Sequence, residues 1–120
     1  MGMLGNANRK LTTHVLDTAL GIPAKGIEIT LYRSVGGKDK AVAQACTNAD
    51  GRCDGPILEG SDFISGDYML VFHVADYFSV RTQEAFFKDI PIRFSVGDSI
   101  VHYHVPLLLS PFGYSTYRGS

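Results

Sequence analysis

Residues 100–109 read IVHYHVPLLL. Successive side chains of a β-strand point to opposite faces, so a strand sorts this stretch into two sets. Val101, Tyr103, Val105, Leu107 and Leu109 share one face, which is the core face. Ile100, His102, His104, Pro106 and Leu108 share the other. Both histidines therefore point away from the core. Ile100 and Leu108 make that outer face too apolar for plain exposure to water. A mixed face of this kind suggests a covered surface, most simply a subunit interface.

The same parity extends outward. After the turn Ser110-Pro111, Phe112, Tyr114 and Thr116 read as core-facing, with Gly113, Ser115, Tyr117 and Gly119 opposite. In the first strand, Leu11 to Thr18, Thr13 and Val15 alternate with Thr12, His14 and Leu16. If these three strands are neighbours, His14, His104 and Tyr117 converge on one outer surface. Between them lie further strands: Ile27 to Val35, a GGKDK turn, and Ala41 to Thr47. Asp50-Gly51 is a hairpin signal. Pro56 to Leu58 reads as a short edge strand, and Tyr68 to Val74 as a central one. VRTQEAFFKD, residues 80–89, predicts a short helix with Thr82 as its N-cap and Pro91 after its end. Ile92, Phe94 and Val96 alternate again. Seven or eight strands with frequent turns and one helix predict an all-β antiparallel sandwich.

The bulk numbers bound the function. At 120 residues the chain is one domain, with residues 1–10 as a flexible leading segment and 11–120 as the folded unit. A net charge of −1 and no basic block argue against nucleic-acid binding. No stretch is long and apolar enough for a membrane span, and MGMLGNANRK lacks the apolar run of a signal peptide. Cys46 and Cys53 flank the TNADGR turn and read as two reduced thiols in a cytoplasmic protein, or as a disulfide if they face each other across a hairpin.

Three groups carry chemistry. His102 and His104 form an HxH pair on one strand face, with His14 as a third histidine. They read as a three-histidine zinc site, as locally satisfied side chains, or as catalytic imidazoles. An imidazole trades protons near neutral pH. Against zinc, no carboxylate or cysteine stands beside the pair. Arg52, after the Asp-Gly turn, offers a planar fork of N–H donors for an oxyanion or an amide-like ligand. No G-x-S-x-G elbow or phosphate-binding glycine loop is present. His73, inside YMLVFHV, reads as structural.

LTTHVLDTALGIPAKGIEITLYR, TNADGRC and HYHVPLLLSPFGYSTYRGS, in that order, resemble the transthyretin-related 5-hydroxyisourate hydrolases. The likeness spans Leu11 to Ser120, and YRGS is its most discriminating part. It implies a transthyretin-like sandwich of two four-stranded sheets. It also implies a homotetramer built as a dimer of dimers, with sites in a channel between the dimers. The substrate implied is 5-hydroxyisourate, opened by hydrolysis of its N1–C6 bond to 2-oxo-4-hydroxy-4-carboxy-5-ureidoimidazoline, without metal or cofactor. The catalytic positions implied are His14, Arg52 and His104. Tyr117, Arg118, Gly119 and Ser120 are implied to bind substrate. The rival function is a transthyretin-like carrier of a small aromatic ligand, with no chemistry.

Overall fold

The computed structural model describes residues 9–99 and 101–120. Its elements are β1 (Lys10–Asp17), β2 (Ile22–Pro23), β3 (Glu28–Val35), β4 (Lys38–Cys46), β5 (Leu58–Glu59), β6 (Gly66–His73), α1 (Ala75–Val80), β7 (Asp89–Val96), β8 (His102–Ser110) and β9 (Gly113–Thr116). One sheet runs β2-β1-β8-β9, with β5 also paired to β1; the other runs β4-β3-β6-β7. The expected sandwich is present, and two-residue β5 makes the first sheet one strand larger than the four-and-four expectation. Residues 1–8 and Ile100, assigned above to the leading segment and the long strand, lie outside the described residues. Arg9 is buried and its Nη2 donates to the Gly97 carbonyl at 2.8 Å, so the fold begins before Leu11.

The all-antiparallel expectation fails at one place. β1 and β8 run parallel, from Lys10 opposite His102 to Asp17 opposite Leu109. Parallel neighbours need a long crossover, and here the whole opposing sheet lies between them in the chain.

The alternation holds where both faces are committed. Leu11, Val15, Leu107 and Leu109 from one sheet meet Ile29, Leu31, Leu70 and Phe72 from the other, all at most 1% exposed. Each such side chain contributes about 1.5–3 kcal/mol by leaving water. Val101 falls outside the pattern, 41% exposed and ahead of β8. The β9 parity is right but its burial is not. Tyr114 and Thr116 pair with Leu109 and Leu107, yet β9 is an edge strand and both are exposed. Phe112 lies in the β8–β9 turn at 68% exposure.

The helix is the largest correction. It occupies Ala75–Val80, not residues 80–89. Asp76 suits the positive end of its first turn. Tyr77 and Phe78 are buried, and the Tyr77 hydroxyl donates to Asp17 Oδ2 at 2.7 Å. Burial and that carboxylate push the phenol up to about 12. Asp17 Oδ1 accepts from the Ala19 and Leu20 amides, so a fully buried carboxylate ties α1 to the end of β1. Thr82 is no cap: it sits at φ +52, and its hydroxyl donates to the Arg81 carbonyl. Phe86-Phe87 imitates the Tyr77-Phe78 pair in sequence. However, the Phe86 amide donates to Pro111 in the β8–β9 turn, and its ring is 72% exposed.

Candidate active site

The parallel register places His104 opposite Thr12, with His14 two residues further along β1 on the same outer face. His14 Nδ1 and His104 Nε2 lie 2.8 Å apart, and their rings stack with centroids 4.9 Å apart. His104 Nδ1 lies 2.8 Å from Thr12 Oγ1. His104 thus uses both ring nitrogens within the protein, and His14 keeps Nε2 for something else.

Arg52 arrives from the opposing sheet. Asp50-Gly51 turns the chain but closes no hairpin, because the segment leaves β4 and docks on β1. The Val15 amide donates to the Gly51 carbonyl at 2.8 Å, and Arg52 bridges to His14. Gly51 has φ +73, and a Cβ there would lie 2.5 Å from the Val15 carbonyl oxygen. Only glycine fits this approach. Asn48 holds the turn, with Oδ1 accepting from the Asp50 and Arg52 amides.

The closing segment arrives along β8. The Gly119 amide donates to the His104 carbonyl at 2.7 Å, and Thr116 Oγ1 donates to the Pro106 carbonyl. A Cβ on Gly119 would lie 2.7 Å from His104 Cδ2, so glycine is needed for closeness rather than for backbone angle.

These elements enclose an open cavity of about 490 Å³ lined by His14, Arg52, His104, Tyr117, Gly119 and Ser120, with Thr12 and His102 on the same wall. Arg118 is the exception among the expected residues. Its guanidinium lies 5.4 Å from the centre of the Tyr103 ring and donates to the His102 carbonyl at 3.2 Å. It lines a separate cleft beside β7. Thr12 and Asn48 went unassigned in the sequence. Thr12 was visible through its parity with His14, and Asn48 only as the first side chain of an Asn-Ala-Asp-Gly turn.

Both histidines are held below the usual imidazole range. Burial is the main cause, followed for His14 by Arg52, and for His104 by His14, Arg52 and His102. They are neutral at pH 7 and able to accept a proton. Among the described residues no three His, Cys, Asp or Glu side chains converge as metal ligands, and His14 and His104 bond each other instead. Cys53 packs half-buried against the core, where burial pushes its thiol up, away from nucleophilic chemistry.

Residues 11–119 match the model of the HIUase/Transthyretin family. The chain belongs to that family. Among HIUase/Transthyretin proteins, it is 56% identical to 5-hydroxyisourate hydrolase 2 of Rhizobium meliloti, over 92% of this chain and 96% of the relative. The solved 5-hydroxyisourate hydrolase of Klebsiella pneumoniae superposes with a TM-score of 0.82 at 35% identity, covering 93% of this chain and 99% of that one. Sea bream transthyretin, solved in complex with thyroxine, superposes with a TM-score of 0.86 at 25% identity, covering 92% and 94%. Enzymes and a ligand-binding protein of the HIUase/Transthyretin family share this fold, so the side chains of the cavity must separate them.

Proposed function

We propose that the chain hydrolyses 5-hydroxyisourate in the cavity of His14, Arg52 and His104. The observation that carries this is the direct contact between two neutral histidines on a wall shared with an arginine. The named activity of the curated relatives supports it. An imidazole takes a proton from water, and the oxygen adds to C6. Arg52 offsets the negative charge that develops on the carbonyl oxygen. The N1–C6 bond then breaks, and N1 receives a proton. Tyr117, Gly119 and Ser120 shape the pocket around the ring. Arg118 holds the closing segment against β8. A carrier of aromatic ligands has no use for the paired imidazoles.

The test is the decay of freshly made 5-hydroxyisourate at neutral pH, followed by ultraviolet absorbance with and without protein. Decay no faster than the spontaneous rate would overturn the assignment.

We further infer a homotetramer, a dimer of dimers, whose dimer–dimer contact covers the outer face of β1 and β8. Leu16 and Leu108 lie side by side there, and Leu20 and Ile22 nearby are 53% and 39% exposed. Light scattering should return four times the chain mass; a monomer would remove this inference. The unpaired Cys46 and Cys53 support a cytoplasmic location, testable by cell fractionation.

A further inference from the structure

Thr12 is the only partner of His104 Nδ1 among the described residues. We propose that Thr12 is the positioning residue of the histidine pair: it accepts the Nδ1–H of His104, so that His104 Nε2 accepts from His14 Nδ1–H and His14 Nε2 is left as the base facing the cavity. This rests on the hydrolase reading above and goes beyond it by naming the base and the group that makes it one.

Each neutral imidazole has one N–H and one lone pair. Two links of 2.8 Å join Thr12, His104 and His14, and a single proton occupies each link. The chain therefore runs one way or the other. Run toward Thr12, it ends in a bare lone pair on His14 Nε2. Run toward His14, it ends in an N–H at the same place. Arg52 lines that cavity and bridges to His14 through the backbone. Its positive charge attracts a lone pair and repels an N–H dipole. Thr12 completes the first direction at its far end, as it would the other. Once Thr12 Oγ1 accepts from His104, its own hydroxyl hydrogen is free for His102 Nε2, 3.5 Å away.

The arrangement matters when the base is loaded. A proton taken from water by His14 Nε2 creates an imidazolium next to Arg52. Passing the Nδ1 proton to His104 Nε2 moves that charge one ring away from the guanidinium. The His104 imidazolium then has two donors, and the oxygen of Thr12 and the freed Nδ1 of His14 accept from them. A methyl group in place of the hydroxyl removes one of those acceptors and leaves Arg52 alone to favour the first direction.

Two measurements test this. Nitrogen-15 NMR of the histidine rings needs no substrate. It should show His104 protonated at Nδ1 and His14 at Nδ1 in the unaltered protein near pH 7.5, and a weaker preference in Thr12→Val. Kinetically, Thr12→Val should lower kcat by roughly ten- to a hundredfold, the scale on which partners that orient working histidines act, with KM little changed. Its acid limb should move to lower pH, because the His104 imidazolium has lost an acceptor. The groups facing His104 there are His14, Arg52 and His102, all unchanged in the variant. Thr12→Ser should restore both kcat and the limb. Nε2-protonated His104 in the unaltered protein would overturn the proposal. So would a Thr12→Val enzyme with unaltered kcat, or a Thr12→Ser enzyme as slow as Thr12→Val. If Thr12→Val does not fold, the tautomer of the unaltered protein and the rate of Thr12→Ser still decide. If 5-hydroxyisourate is not turned over at all, the hydrolase assignment fails while the NMR result still decides what Thr12 does.

Discussion

Each sheet carries a histidine whose ring nitrogen lies within 3.0 Å of a threonine hydroxyl, and the two have opposite fates. On the site-bearing sheet, His104 lies 2.8 Å from Thr12 and 2.8 Å from His14. On the other sheet, His73 lies 3.0 Å from Thr30 and 2.9 Å from Asp89. His73 is completed by its paired strands alone, since β3 supplies Thr30 and β7 supplies Asp89. His104 is ringed by segments that strand pairing does not require: the Gly51-Arg52 turn and the closing stretch at Gly119. A carboxylate partner makes His73 a bridge between strands. Burial, joined by a guanidinium and a second imidazole, makes the other pair poor cations and therefore available bases. The difference lies in what the loops bring to the histidine, not in the histidine.

The comparison breaks most sharply if the loop-delivered groups prove dispensable. Removing a general base or the group that offsets developing charge costs roughly a hundred- to ten-thousandfold in rate. His14→Ala, which removes the base, and Arg52→Ala should each lose about that much in kcat/KM on 5-hydroxyisourate, with circular dichroism and oligomer size unchanged. Near-normal turnover in either variant would show that the cavity is not where the chemistry happens.

The next effect tests closeness. Gly119→Ala would set a Cβ 2.7 Å from His104 Cδ2, so the ring or the closing segment must shift. A displacement of about 1 Å costs up to roughly a hundredfold in an oriented site. Gly113→Ala, where the nearest atom is Ser110 Oγ at 3.8 Å, should change the rate little. Equal rates for the two variants would mean that the segment can drift without consequence. Gly51→Ala adds a left-handed backbone to its clash. It should cost about 1–2 kcal/mol of stability from handedness alone, measured by urea unfolding, as well as activity.

How much of this was legible depended on whether a signal was local. Strand parity put His14, His104 and Tyr117 on the outer face, because alternation is written into each strand. Arg52 was legible as a fork of donors after the Asp-Gly turn, but only resemblance set it beside the histidines, since nothing in TNADGR says that the turn crosses to the other sheet. The direction of β1 against β8 was hidden, because parity is the same for parallel and antiparallel neighbours. The helix was misplaced because Phe86-Phe87 and Tyr77-Phe78 look alike, and only the Asp17 carboxylate, sixty positions away, distinguishes them. Arg118 was grouped with its neighbours in YRGS, although its side chain leaves the cavity for Tyr103.

A smaller effect sharpens the electrostatic half of the comparison. His14 and His104 are held below the ordinary imidazole value of about 6.5 by burial and by Arg52. Activity should therefore be flat through neutral pH and fall only below about 6.5, as the two rings protonate. In Arg52→Gln the residual activity should show that acid limb at higher pH. The sign for stability agrees. A depressed histidine binds its proton more readily when unfolded. Its contribution is therefore complete above the unfolded value and is lost as pH falls through it toward the folded one.

The smallest effect on rate falls on the other sheet. His73→Ala removes two hydrogen bonds and leaves the hydroxyl of Thr30, a residue 8% exposed, without that partner. Each such bond is worth roughly 0.5–1.5 kcal/mol net, so unfolding in urea should shift measurably. Turnover of 5-hydroxyisourate should stay within about twofold, since no loop carries His73 to the cavity and a kinetic effect would have to cross the core. A large rate loss in His73→Ala with stability intact would reverse the comparison. It would mean that the second histidine–threonine pair works through the sandwich on the first. Equal stability losses in His73→Ala and His104→Ala, with activity lost only in the latter, would show that two similar local pairs have been put to different ends.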